Sequence, residues 1–163
     1  MSKILNVEIK AKCFEPERIH NYIMNHGGDY KGVDHQVDTY FNCDTGRLKL
    51  RKGNIENSLI YYQRENKAGS RESKIELERL PAENNMRALL SKANGIKVEV
   101  DKHRKIYFIG NVKFHIDEVK DLGSFMEIEA IDTEGRFNVE ELTTQCNHYM
   151  NELEITTNDL VEI

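Results

Sequence analysis

Glu127 and Glu129 stand two residues apart, as do Lys102 and Arg104, and again Lys49 and Arg51. In an extended chain that spacing puts both side chains on one face. Each pair therefore concentrates like charge that folding alone does not call for. Neighbouring carboxylates are the ligands that hard divalent cations take. Neighbouring lysine and arginine side chains suit phosphate oxygens, Arg through a bidentate fork and Lys as a point charge. Both sets in one chain point to chemistry on a phosphate compound that carries a metal ion.

Holding these side chains on one surface requires strands, and the alternation supplies them. Across residues 4–13, Leu5, Val7, Ile9, Ala11 and Cys13 form one face, and Asn6, Glu8, Lys10 and Lys12 the other. Further strands are predicted over 36–41, 47–52, 58–64, 74–80, 98–108, 111–119 and 125–131. Helices are predicted from Glu15-Pro16 to Gly27-Gly28, over 82–93 and over 139–153. No repeat or linker interrupts the chain, so one domain over 1–163 is expected. Eight mostly antiparallel strands with a few helices outside make an α+β, mainly β fold, and eight strands close into a barrel wide enough for one small ligand.

The charged parity gathers Lys10, Lys12, Lys49, Arg51, Arg64, Lys74, Lys102, Arg104 and Lys113 with Glu8, Glu76, Glu78, Asp117, Glu127 and Glu129. Two orientations satisfy this pattern. In one, the charged face meets water and the apolar face meets the core. In the other, the charges line the barrel and the apolar face lies outward beneath helices, an arrangement that needs a charged guest to offset burial. A triphosphate with divalent cations would be such a guest.

The bulk numbers narrow the partners. A net charge of −5 argues against a general nucleic-acid or membrane binder. Three scattered cysteines, Cys13, Cys43 and Cys146, without a CxxC spacing, argue against a disulfide framework and a zinc knuckle. No signal-like apolar stretch opens the chain, so a cytoplasmic protein is expected.

Six motifs carry a resemblance in order along nearly the whole chain: Asn6-Val7-Glu8-Ile9-Lys10, Gln36-Val37-Asp38-Thr39-Tyr40-Phe41, Gly46-Arg47-Leu48-Lys49-Leu50-Arg51, Val100-Asp101-Lys102-His103-Arg104, His115-Ile116-Asp117-Glu118-Val119 and Leu122-Gly123-Ser124-Phe125-Met126-Glu127-Ile128-Glu129. The chain resembles the CYTH superfamily, the triphosphate tunnel metalloenzymes, and most closely its class IV adenylate cyclase branch. The resemblance implies a closed eight-stranded antiparallel tunnel that binds a triphosphate with two Mg2+ or Mn2+ ions. It implies metal ligation by Glu8, Asp117, Glu127 and Glu129. Phosphate binding would fall to Lys10, Lys49, Arg51, Lys102 and Arg104, with Arg64 added on a strand that aligns loosely. The family signature opens Glu-x-Glu-x-Lys, and Asn6 stands at its first glutamate, which removes one charge from the metal cluster.

The activity implied is cyclisation of ATP to cyclic AMP and pyrophosphate. The alternatives are hydrolysis of tripolyphosphate or thiamine triphosphate, and binding of a triphosphate without turnover. The expected partner is a small-molecule triphosphate, with the protein a monomer or homodimer. No histidine stands out as a general base. His115 reads as a supporting residue, and the other five read as surface or packing groups. Tyr40, Phe41, Tyr61, Tyr62 and Tyr107 read as strand packing, and the polar segment 65–72 as a mobile loop at the tunnel mouth.

Overall fold

The computed structural model describes residues 2–64 and 68–161. Eight strands close into an antiparallel barrel in the order β1-β5-β4-β3-β2-β6-β7-β8. They are β1 (Ser2–Lys12), β2 (Asp29–Phe41), β3 (Arg47–Lys52), β4 (Ser58–Arg64), β5 (Arg71–Arg79), β6 (Ile96–Ile109), β7 (Val112–Val119) and β8 (Gly123–Asp132). Helices α1 (Pro16–Asn25), α2 (Met86–Asn94) and α3 (Val139–Glu152) lie outside. This is the fold class that the alternation predicts. No helix among the described residues is long and apolar enough to cross a membrane.

The apolar core lies outside the barrel wall. Val7, Ile9 and Ala11 of β1, Val112 and Phe114 of β7, and Met126, Ile128 and Ala130 of β8 point outward, against Ile19 and Ile23 of α1 and Leu142 and Cys146 of α3. Each large apolar side chain buried this way contributes roughly 1.5–3 kcal/mol. Helix α3 packs along β1 and β8 and begins at a capping box, in which Asn138 accepts from the Glu141 amide and Glu141 accepts from the Asn138 amide. At the end of α1, a Cβ on Gly28 would sit 2.6 Å from the Ile23 carbonyl oxygen, so only glycine lets the chain turn there. After α3, Leu160 bridges Ala11 and the Val161 amide donates to the Lys10 carbonyl, so the tail adds to the free side of the β1 end.

The barrel interior takes the other parity. Asn6, Glu8 and Lys10 of β1, Lys102 and Arg104 of β6, Lys113 and His115 of β7, and Glu127 and Glu129 of β8 all line a central cavity of about 960 Å³.

Several expectations change. On β5 the interior face is Ser73, Ile75, Leu77 and Arg79, so Lys74, Glu76 and Glu78 belong to the outer face. Among the described residues the core cluster draws nothing from β5, and Lys74 and Glu78 are exposed and Glu76 half-buried. Lys12 is likewise exposed, beyond the point where β1 lines the cavity. Strand β2 begins at Asp29, seven residues earlier than the alternation predicts. A register irregularity between Tyr30 and Gly32 breaks the period there. Of the predicted loop 65–72, residues 65–67 lie outside the described residues, and Arg71 and Glu72 open β5.

Candidate functional site

The cavity has an acidic corner and a basic wall. The corner is built where β1, β8 and β7 run side by side: Glu8 is paired across the ladder with Glu129, Lys10 with Glu127, and His115 with Glu127. His115 Nδ1 lies 3.5 Å from Glu129 Oε1 and 3.7 Å from Glu127 Oε2, both too long for a hydrogen bond. Both imidazole nitrogens and the Asn6 carbonyl oxygen are buried without a hydrogen-bond partner. Ligand atoms of His115, Glu127 and Glu129 all lie within 4.8 Å of one another. Donors on a common divalent ion sit roughly 2.0–2.6 Å from it, so their mutual spacing is at most about 5 Å. The residues present thus fit a metal ion.

Burial, then the neighbouring carboxylates Glu127 and Glu8, push Glu129 up to about 7. Burial would raise Glu127 too, but the Arg104 guanidinium and Lys10 hold it well below the usual carboxylate range. Burial and Arg104 push His115 down to about 3. The imidazole is therefore neutral at physiological pH, the form that binds metals.

Because Glu129 keeps its proton below about pH 7, it must release that proton to take a cation. The affinity for Mn2+ is expected to rise about tenfold per pH unit up to pH 7 and then level off, with one proton released per ion. Calorimetry in two buffers of different ionisation heat reads both quantities. A dissociation constant that stays flat from about pH 5.5 to about pH 8 would remove Glu129 from the site.

The basic wall centres on a residue to which the sequence analysis gave no role. Asp38 is fully buried and accepts two bonds from Arg51, both of 2.9 Å. Its Oδ2 also lies 3.1 Å from Lys102 Nζ and 4.0 Å from Lys49 Nζ. One carboxylate thus holds three cations. Burial opposes ionisation of Asp38, but Arg51, Lys49 and Lys102 together hold it well below the usual range. Lys102 is pushed down to about 7, first by burial and then by Arg104. The wall carries more positive charge than its own carboxylate balances.

Arg104 joins the two halves. It grips Asp117 through two bonds of 2.8 Å and donates to Glu127 over 3.1 Å. Asp117, which the resemblance makes a metal ligand, has both oxygens on Arg104 and is absent from the cavity lining. Lys10, Lys49, Arg51, Arg64, Lys102 and Arg104 all line the cavity, as do Glu8, Glu127 and Glu129. Arg64 donates to Glu8, and Lys10 lies 3.8 Å from Glu127.

Two further readings are corrected. Tyr40 and Tyr62 line the cavity rather than merely packing the strands. Lys49 Nζ sits 5.7 Å above the first ring and 5.2 Å above the second, and Arg64 lies 5.4 Å from the Tyr62 ring. The rings face the cations with their electron-rich surfaces. His115, expected to be a supporting residue, stands with the carboxylates as a candidate ligand. Tyr107 remains a packing residue, fully buried, with its hydroxyl 2.7 Å from His20 Nδ1.

A closed antiparallel barrel with its core outside and its ionic side inward defines a tunnel-type fold. The chain belongs to the CYTH family, whose domain model matches residues 5–162. Among solved structures it is similar to the PH1012 protein of Pyrococcus horikoshii, with a TM-score of 0.78 at 24% identity over 97% of this chain and 95% of that one. It is also similar to a candidate adenylate cyclase of Vibrio parahaemolyticus, with a TM-score of 0.73 at 16% identity over 96% and 92% of the two chains. A third is HpAC1 of Hippeastrum, a candidate adenylyl cyclase with a dominant triphosphatase activity, at TM-score 0.59 and 14% identity over 92% and 88%. At these identities the likeness shows the fold alone. No curated protein matches the chain.

Proposed function

We propose that this protein is a metal-dependent enzyme that processes a triphosphate inside the barrel, with cyclisation of ATP to cyclic AMP and pyrophosphate as its reaction. The observation that carries the reading is the division of one cavity into a carboxylate–imidazole corner and a wall of three cations on one carboxylate. Neither half is electrostatically complete. Glu129 is held near the pH at which it would shed its proton for a cation. Lys102 is held near the pH at which it would keep its proton for an anion. A metal–triphosphate complex supplies both counter-charges at once.

Roles follow for the chain's own groups. Lys49 and Lys102, with Arg51 between them, would take phosphate oxygens, and Asp38 holds them converged before the ligand arrives. Arg104, fixed by Asp117, would place a guanidinium between phosphate and carboxylates without moving. His115, Glu127 and Glu129 would hold a divalent ion, with Asn6 and Glu8 beside them. Such an ion, when bound, would act as a Lewis acid toward phosphoryl oxygens and the attacking hydroxyl. Asn6 offers a neutral carbonyl oxygen where the family signature has a glutamate. The corner is therefore less negative than the signature implies.

A second reading is hydrolysis of the terminal phosphate, favoured by the dominant triphosphatase activity of the Hippeastrum neighbour. One experiment separates the two. The protein is incubated with ATP and with tripolyphosphate, in Mg2+ or Mn2+, and the products are resolved. Cyclic AMP with pyrophosphate is the expected result. Free phosphate would transfer the assignment to a triphosphatase. Ligand-induced stabilisation without any product, in excess Mn2+, would leave a binding module.

A further inference from the structure

Among the described residues, one carboxylate that lines the cavity, Glu56, comes from no strand. The β3–β4 connection, residues 53–57, sends Glu56 inward to Lys113 on β7, with 2.6 Å between Nζ and Oε2. In the closed barrel order β2 and β6 stand between β3 and β7 on one side, and β5, β1 and β8 stand between β4 and β7 on the other, so this ion pair reaches across the cavity that both residues line. The same carboxylate lies 3.5 Å from Arg51 Nη1 and accepts from Gln36 over 3.1 Å.

The loop that carries Glu56 is tied down. Asp34, fully buried on β2, accepts the amides of Asn54, Ile55 and Glu56 over 2.7, 2.9 and 3.0 Å, and the Gln36 side chain over 2.8 Å. Asn54 also accepts from the His35 amide at 2.6 Å and donates to the Val33 carbonyl at 3.1 Å. A Cβ on Gly53 would fall 2.6 and 2.7 Å from the Asp34 oxygens, so glycine is required where the loop passes the carboxylate. Asp34 needs the loop's amides as much as the loop needs Asp34, because a buried carboxylate without donors is strongly destabilising. Glu56 is therefore presented by a braced support.

Deepening the triphosphate reading, on which this rests, we propose that Glu56 is a length stop, a specificity-determining residue that refuses linear phosphate chains longer than a triphosphate. The cations of the wall around Asp38 face the cavity with surplus charge. At Lys113 and the outer edge of Arg51, Glu56 already neutralises the positive groups that a further phosphate would need. An additional phosphate would have to part that ion pair and lie against a carboxylate whose backbone is held in place. Like charges forced together in a poorly solvated interior repel strongly.

The test is the affinity of inorganic tripolyphosphate and of linear inorganic tetraphosphate, measured by calorimetry on the whole chain and on Glu56→Gln. The unaltered protein should bind tetraphosphate about tenfold more weakly than tripolyphosphate, although the longer chain carries more charge. In Glu56→Gln, which frees Lys113, that ratio should fall to about one or invert. Glu56→Asp, which withdraws the charge by one methylene, should fall between them and serves if the glutamine variant does not melt cooperatively. Equal affinities for the two chains in the unaltered protein, or an unchanged ratio in both variants, would overturn the stop. Failure of tripolyphosphate itself to bind would instead overturn the triphosphate reading, and the stop with it.

Discussion

Glu129→Gln should sharply reduce metal-dependent turnover and at the same time raise the melting temperature of the metal-free protein at pH 8. The two effects have one cause. Burial, Glu127 and Glu8 push the Glu129 carboxyl up to about 7, above its ordinary value, so the folded state disfavours the charged form. The sign follows from linkage: the unfavourable contribution builds as pH rises from the ordinary carboxylate range through 7, and above 7 it is present in full. A neutral glutamine removes it at pH 8 and changes little at pH 5, where the folded protein already holds the proton. Each kcal/mol gained moves the melting point of a domain this size by roughly 2–4 °C. The same substitution removes a charge from the ligand group of His115, Glu127 and Glu129. The activity loss should be roughly 10²–10³-fold, the scale for deleting one group from a preorganised charged site. Stabilisation of the folded protein by added Mn2+ should vanish as well. A variant that melts lower at pH 8, or that keeps full activity, would show that Glu129 serves the fold rather than a cation.

How much of this was legible in the sequence depended on which residues lie behind each strand. On β1, β7 and β8 one face is buried under α1 and α3, so Val7, Ile9, Phe114 and Ile128 had to be apolar. The opposite parity, with Glu8, His115 and Glu129, then had to face inward. On β5 the alternation was just as regular, but a period of two gives two faces without saying which one is inside. Lys74, Glu76 and Glu78 alternate because water solvates them, and the inner face is the quieter Ser73, Ile75 and Leu77. Asp38 sat in a motif that marked the chain's resemblance, yet nothing in its neighbours' types showed that Lys49, Arg51 and Lys102 would converge on it from β3 and β6. Glu56 had no signal at all. It belongs to a loop without periodicity, and its partner Lys113 is 57 residues away in sequence. His115 was legible as a residue opposing Val112, Phe114 and Ile116 on its strand, but its place beside two carboxylates depends on the β7–β8 register.

Asp38→Asn tests the other half of the cavity, and its effect on stability should be the largest of any single substitution in the site. The carboxylate is fully buried and is the common partner of Arg51, Lys102 and Lys49. Asparagine keeps the shape but turns an NH2 group toward a guanidinium, and it leaves the wall's cations without their internal anion. Removing one member of a buried ion pair costs about 3–5 kcal/mol, a fall of roughly 6–20 °C in melting temperature at 2–4 °C per kcal/mol. Lys102, already pushed down to about 7, should lose its proton more readily still once its nearest carboxylate is gone. An added polyanion should then do from outside what Asp38 does from within. Saturating tripolyphosphate stabilises a folded protein by about 2.7 kcal/mol at a hundred times its dissociation constant, and the gain in melting temperature should be larger in the variant than in the unaltered protein. Guanidinium stays charged at any accessible pH, so Arg51 keeps that demand alive even where Lys102 is neutral. If Asp38→Asn melts like the unaltered protein, the wall does not depend on its carboxylate. If it is destabilised but no polyanion restores it, the cations of β3 and β6 serve the barrel alone, and the triphosphate loses its seat.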